Sequence, residues 1–417
     1  MFDPQVVQHD FPILTRVIHG KQLVYLDSGA TSQKPQAVLE AERMYYEQHN
    51  ANVHRGAHTL GDEATRLLAE SRQAVAAFIG ARDEEVIFVR NTTEAINLVA
   101  YAWGLDSLRP GDVIVTTLME HHADLVPWQE VARRTGARVE VVGVTPDGLL
   151  DIEDYQVKLK LKPKLVALVH VSNALGTVNP VAQLTRMAHK VGALVLIDGA
   201  QAVPHMPISV REIGCDFYAF SGHKMLGPMG IGVLWGRREQ LATMSPFLSG
   251  GGMISEVYPD HATWTEIPEK FEAGTPNVAG TVGLAAAIAY LNTLGQLGGK
   301  AGMDAVREHD MQLVAYCLQQ LANVPEVEIL GTRDPEKRSG SVSFVYRGVH
   351  AHDVATILDS EAVAVRSGHH CTMPLHMHFG VAASIRASFN VYTTTEDIDR
   401  LVEALAKVKT IFVTRNT

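Results

Sequence analysis

An α/β protein with a mainly parallel sheet is predicted by two features of the chain. Short apolar runs alternate with helix-like segments through its middle, and the last of these runs are apolar at nearly every position rather than every second one. Strands of that kind are covered on both faces. A third feature is a change after about Pro276, where long helices mix with isolated strands and predict a smaller α+β domain.

The elements follow in order. Residues 85–89 read as a strand and 93–103 as the helix after it; 112–116 is the next strand, with 128–135 helical. Runs 138–142, 165–171, 193–197 and 217–220 continue the series. Beyond the change, 279–294 and 304–321 read as helices, 341–346 and 362–366 as strands, and 395–409 as an amphipathic closing helix with Glu396 and Asp397 in its first turn, where negative charge suits the helix dipole. Open parallel sheets bind ligands beyond the carboxyl ends of their strands, so chemistry is expected just after each run.

Bulk properties exclude several functions. With 417 residues the chain is too long for one small core. Its net charge of −10 argues against nucleic-acid binding, which needs a basic face, and against an anionic membrane surface. No apolar run is long enough to span a bilayer, and residues 1–14, with Asp3, His9, Asp10 and Pro12, do not read as a secretory signal. Cys215, Cys317 and Cys371 are far apart and odd in number, a poor disulfide framework, so a reducing cytoplasm is expected.

Two stretches carry the strongest chemical signal. Asp198-Gly199-Ala200-Gln201 and Ser221-Gly222-His223-Lys224 each follow a strand-like run. An acid and a lysine at neighbouring strand ends are what pyridoxal 5'-phosphate (PLP) requires: the lysine holds the cofactor covalently and the acid keeps its ring nitrogen protonated. A lone lysine or aspartate would be read as a surface group or a helix cap; the pair favours the cofactor. Gln201 suits the ring hydroxyl, and Ser221 and His223 the phosphate. Arg90-Asn91-Thr92-Thr93-Glu94 opens a helix, where N–H groups and two hydroxyls make a phosphate site, although alone it would be an ordinary threonine cap. His121, in Glu120-His121-His122-Ala123, is placed to stack on a ring; the paired histidines lack a second ligand set at metal spacing, and no metal is expected.

In Arg366-Ser367-Gly368-His369-His370-Cys371 a strand end runs into a loop. Arg366, His369 and His370 are expected as positive neighbours that favour thiolate, making Cys371 a nucleophile on a mobile loop. Cys215 and Cys317 lie in apolar settings and are expected in the core. Arg386, in Ser384-Ile385-Arg386-Ala387-Ser388, suits a substrate carboxylate, with a surface ion pair as the plainer alternative.

These residues resemble the class-V aminotransferase-like, fold-type I PLP enzymes, and among them the group II cysteine desulfurases of the SufS type. The similarity runs from Asp10-Phe11-Pro12 through Tyr25-Leu26-Asp27-Ser28 and Val53-His54-Arg55-Gly56 to Arg386-Ala387-Ser388. It implies a large domain with a mainly parallel seven-stranded sheet and a smaller C-terminal domain, divided as an arm (1–20), a PLP domain (21–275) and a small domain with the cysteine loop (276–417). It implies that Lys224 carries PLP, that Asp198, Gln201 and His121 meet its ring, and that Thr92, Thr93, Ser221 and His223 hold its phosphate, with Thr275 reaching in from a second subunit of a homodimer. Asn173, Arg386 and Arg366 are implied for the substrate, L-cysteine, and Cys371 for its sulfur, which passes to an acceptor for iron–sulfur cluster assembly. His352, nineteen residues before Cys371, resembles a histidine that contacts a zinc-containing SufU-like acceptor rather than a SufE-like one. Gly29-Ala30 replaces a common Ala-Ala pair and is expected to leave the chemistry untouched. A selenocysteine lyase or another carbon–sulfur lyase of the same fold is the rival enzyme. A PLP-sensing regulator lacks its expected basic DNA-binding region, and a scaffold that only recruits an acceptor would not need Lys224 and Cys371.

Overall fold

The computed structural model describes residues 2–54, 56–295 and 302–413; Arg55, from the quoted Val53–Gly56 run, lies outside them. A seven-stranded sheet forms the centre. Its strands are β1 (Val86–Val89), β2 (Val113–Thr117), β3 (Arg138–Val142), β4 (Leu165–Val169), β5 (Leu194–Asp198), β6 (Phe217–Ser221) and β7 (Gly232–Gly236). They lie in the order β1-β7-β6-β5-β4-β2-β3, and β7 alone runs antiparallel to its neighbours.

The apolar runs explain this sheet. Alternate residues of one strand enter two different cores: Val86, Phe88, Val166, Leu168, Val195 and Ile197 face one, while Ile87, Val89, Leu165, Ala167 and Leu196 face the other. Side chains that alternate across a pleat can be apolar throughout only if helices cover both faces. One face is covered by the helices Thr59–Ile79 and Val278–Thr293, which pack on each other, with Gln36–Met44 against the second; Val126–Thr135 and Thr92–Val99 cover the opposite face.

A second, antiparallel sheet holds β8 (Val327–Leu330), β9 (Ser341–Tyr346), β10 (Arg366–Gly368) and β11 (Ser384–Ser388), in the order β8-β9-β11-β10. Its core includes Val342, Phe344 and Ile385 with Leu313, Val354 and Leu401 from three helices, Met303–Ala322, Ala351–Ser360 and Thr395–Val413. Val24 and Leu26 join this core from the other end of the chain. The strand expected over 362–366 divides in two. Val363–Ala364 pairs in parallel with Val24–Tyr25, whereas Arg366–Gly368 pairs with β11, so the segment serves two different partners. Near the start of the chain, the Phe11 ring packs edge-on against Tyr392 at 4.7 Å and Tyr290 at 5.9 Å.

Candidate active site

The carboxyl ends of β1, β2, β4, β5 and β6 meet β10, β11 and the loop after β10 around a cavity of about 200 Å³. Lys224, Asp198, Gln201, His121, Thr92, Thr93, Ser221, His223, Asn173, Arg366, Arg386 and Cys371 all line it. Thr275 and His352 do not. Thr275 is exposed beside Arg90 and Asn277 in a separate surface pocket, and His352 is exposed in the first turn of Ala351–Ser360.

Lys224 stands three residues beyond β6, at the end of a single tight turn. Its side chain has no hydrogen-bond or ion-pair partner among the described residues, and burial pushes its pKa down to about 8 while Asp198 acts in the opposite direction. Asp198 ends β5, is buried, and accepts the Ala200 N–H at 2.9 Å; burial pushes its pKa up, against the pull of Lys224. A buried amine without a partner, opposed by a buried carboxyl, is costly unless a ligand completes it.

The remaining walls have complementary chemistry. Asn91 caps Thr92–Val99 by accepting the Glu94 N–H at 3.0 Å, and Thr92 is tied to β6 through its N–H and hydroxyl, 2.8 and 2.7 Å from Ser221 Oγ. The helix start thereby faces the cavity as an anion cradle. The His121 ring accepts the Ala123 N–H at Nδ1, and burial, then Lys224, pushes its pKa down to about 3, so it is a neutral ring. Burial also takes His223 down to about 4, so it offers hydrogen bonds rather than charge. Aldehyde-reactive amine, acid, flat ring and phosphate cradle in one cavity fit PLP.

The substrate side is built across the two sheets. Arg386, on β11, donates to the Asn173 carbonyl at 2.7 Å and meets Asp27 at 3.3 Å, while its Nε is buried without a partner. Arg366 stands 3.9 Å from the same Asp27 carboxylate. Gln201 donates to the Gly29 carbonyl at 2.7 Å. Gly29-Ala30 therefore does touch the site, contrary to expectation: both residues line the cavity, and a Cβ on Gly29 would lie 3.1 Å from the Arg386 guanidinium.

The cysteine loop is held by hydrogen bonds: Asn173 Nδ2 donates to the His370 carbonyl at 2.6 Å, His122 N–H to the Cys371 carbonyl at 2.8 Å, and Thr372 N–H and hydroxyl to the His369 carbonyl, both at 2.8 Å. It differs from expectation in that His370 does not supply positive charge. His370 is buried, its Nε2 lies 3.0 Å from Ser384 Oγ, and burial, then Arg386, pushes its pKa down to about 2. Positive charge at the cavity comes from Lys224, Arg366 and Arg386. Cys215 and Cys317 are fully buried, and burial pushes both thiols far up. Glu120 and Asp124, a buried acid pair flanking the two histidines, escaped the sequence reading; an acid on either side of His121-His122 was the available signal.

A model of the family "Aminotransferase class-V" matches residues 24–401. The chain belongs to that family. It is 49% identical over 403 residues to the probable cysteine desulfurase of Halalkalibacterium halodurans, covering 96% of this chain and 97% of that one. The apo structure of the cysteine desulfurase from Thermococcus onnurineus NA1 superposes with a TM-score of 0.92 at 42% identity, covering 98% of both chains. A lysine mutant of C-DES with glycine covalently linked to its PLP cofactor superposes with a TM-score of 0.81 at 25% identity, covering 96% of this chain and 98% of that one. The class-V protein described here is a fold-type I enzyme and its cofactor is PLP. Among the described residues, no helix is long and apolar enough to cross a membrane.

Proposed function

We propose that this class-V enzyme is a cysteine desulfurase that moves the sulfur of L-cysteine onto Cys371 and releases L-alanine. The observation that carries the reading is that Lys224, Asp198, Arg386 and Cys371 line one cavity. The names of its relatives support it.

When bound, PLP supplies an aldehyde that takes up the substrate amine and an electron-poor ring that stabilises charge on the adjoining carbon. Lys224 would hold the cofactor and, once released, serve as the base for the substrate α-proton; its pKa of about 8 in this chain leaves a usable fraction of neutral amine at neutral pH. Asp198 would meet the ring nitrogen and His121 the ring. Thr92, Thr93, Ser221 and His223 would hold the phosphate. Arg386, Arg366 and Asn173 orient the substrate carboxylate, with Arg386 exchanging its Asp27 contact for a two-pronged one. The Cys371 thiolate attacks the substrate sulfur: the new S–S bond forms as the C–S bond breaks, the carbon is protonated, and one cysteine plus the enzyme thiol becomes one alanine plus the enzyme persulfide.

Finer parts belong to the same proposal. The enzyme is a cytoplasmic homodimer, and Thr275, which does not line its own cavity, serves the partner's phosphate site. The persulfide passes to a SufU-like acceptor that contacts His352, for iron–sulfur cluster assembly in a SUF system. The arm, large and small domains divide at 1–20, 21–275 and 276–417, with Val278–Thr293 bridging the last two.

Lys224→Ala should abolish the visible absorbance of the lysine-bound cofactor, and an unchanged band overturns its assignment. Cys371→Ser should keep that band yet release no alanine from L-cysteine; normal turnover overturns the persulfide step and favours a lyase that needs no cysteine.

A further inference from the structure

His122 is the one member of the histidine pair that the chemistry above leaves unused. It does not line the cavity, yet it holds the nucleophile's loop at two points. Its backbone N–H donates to the Cys371 carbonyl at 2.8 Å, and its ring Nε2 accepts the N–H of Met373 at 3.2 Å. These bonds reach the loop at Cys371 itself and two residues beyond it, on either side of Thr372. The ring also lies 5.7 Å from that of His369, inside the same loop.

The loop needs such restraint. His370 has φ 50° and Cys371 φ 57°, the left-handed region, which strains a residue that carries a side chain. Met373 begins the short helix Met373–His378, and Thr372 before it makes no side-chain cap bond, so the His122 ring takes the place of a cap there. We propose that His122 is a positioning residue that latches the loop so that the Cys371 thiol points into the cavity shared with Lys224. The bond from Met373 requires an unprotonated Nε2. Partial burial and neighbouring His369 favour that state by pushing the His122 pKa down.

This inference rests on the proposal that Cys371 receives the sulfur. The test is single-turnover persulfide formation on Cys371 in the holoenzyme mixed with L-cysteine, comparing wild type with His122→Phe and His122→Gln. Phenylalanine keeps a ring but no acceptor; glutamine places an amide oxygen near the Nε2 position. His122→Phe should slow persulfide formation by about tenfold or more, a misplacement effect on the nucleophile. The cofactor absorbance and the KM for L-cysteine should not change, and alkylation of Cys371 by iodoacetamide should change in rate. His122→Gln should recover most of the lost rate. A wild-type rate in His122→Phe overturns the latch. So does an equal loss in both variants, or loss of the cofactor band, because the ring would then be filler. Absence of persulfide in the wild type overturns the function itself, and the latch with it.

Discussion

On either side of His121 in the chain, two acids, Glu120 and Asp124, are buried. Glu120 accepts the Thr117 hydroxyl at 2.7 Å and the Val169 N–H at 3.1 Å, and Asp124 accepts the Trp128 indole N–H at 2.8 Å. Burial first, and each carboxyl's acidic neighbours next, push both pKa values well up. The folded chain therefore keeps protons that the unfolded chain releases above the ordinary carboxylate range. Stability from such a group is full below that range and is lost as pH rises toward the folded pKa. Asp124→Asn keeps the acceptor for Trp128 and removes the titration. Its stability relative to wild type should grow as pH rises above the ordinary carboxylate range, by roughly 1 kcal/mol per pH unit until the folded group ionises. Urea unfolding at several pH values measures this, and a difference independent of pH would contradict it. Residue chemistry was legible where type and order sufficed, as with Lys224 after β6 and Asp198 at the end of β5. Charge state was not: His370 adjoins Cys371 in sequence, but only three-dimensional burial shows it to be neutral.

At the scale of elements, β7 explains why the site needs an antiparallel strand. Gly232 begins β7 and pairs with Val89 on one side and Ser221 on the other, joining the strand before the phosphate cradle to the strand before the lysine. A Cβ there would lie 2.6 Å from the Asn91 Cα and 2.9 Å from the Phe220 carbonyl oxygen. Both are backbone atoms with little freedom to yield. Gly232→Ala should cost about 1–3 kcal/mol by overpacking and should speed loss of PLP by displacing the helix cap at Asn91. Thermal unfolding and the rate of cofactor release check both effects; unchanged values would contradict this packing. The parallel strands were legible because two-sided burial writes continuous apolar runs into the sequence. Strand β7 was not identified: a five-residue run framed by Gly232 and Gly236 also reads as a loop. The helix expected over 93–103 instead stops at Val99 and widens into a π turn through Gly104, since local periodicity does not reveal a change of hydrogen-bond spacing.

For the molecule as a whole, the site depends on two sheets meeting. The large sheet contributes Lys224, Asp198 and His121; the smaller contributes Arg366 and Arg386, with Cys371 in the loop after β10. Across the seam run the bonds from Arg386 to Asn173, from Asn173 to His370 and from His122 to Cys371. The sequence showed which strand ends carry chemistry, but only the packed chain joins Lys224 and Cys371, 147 positions apart, in one cavity. That union of amine and thiol is the central claim, and a single turnover tests it most directly. The holoenzyme is mixed with L-cysteine, alanine is quantified, and the protein is mapped by mass for an added sulfur atom. One alanine per active site, matched by one persulfide located on Cys371, is the predicted result. Alanine release with Cys371 left unmodified, or sulfur found on Cys215 or Cys317 instead, would contradict it.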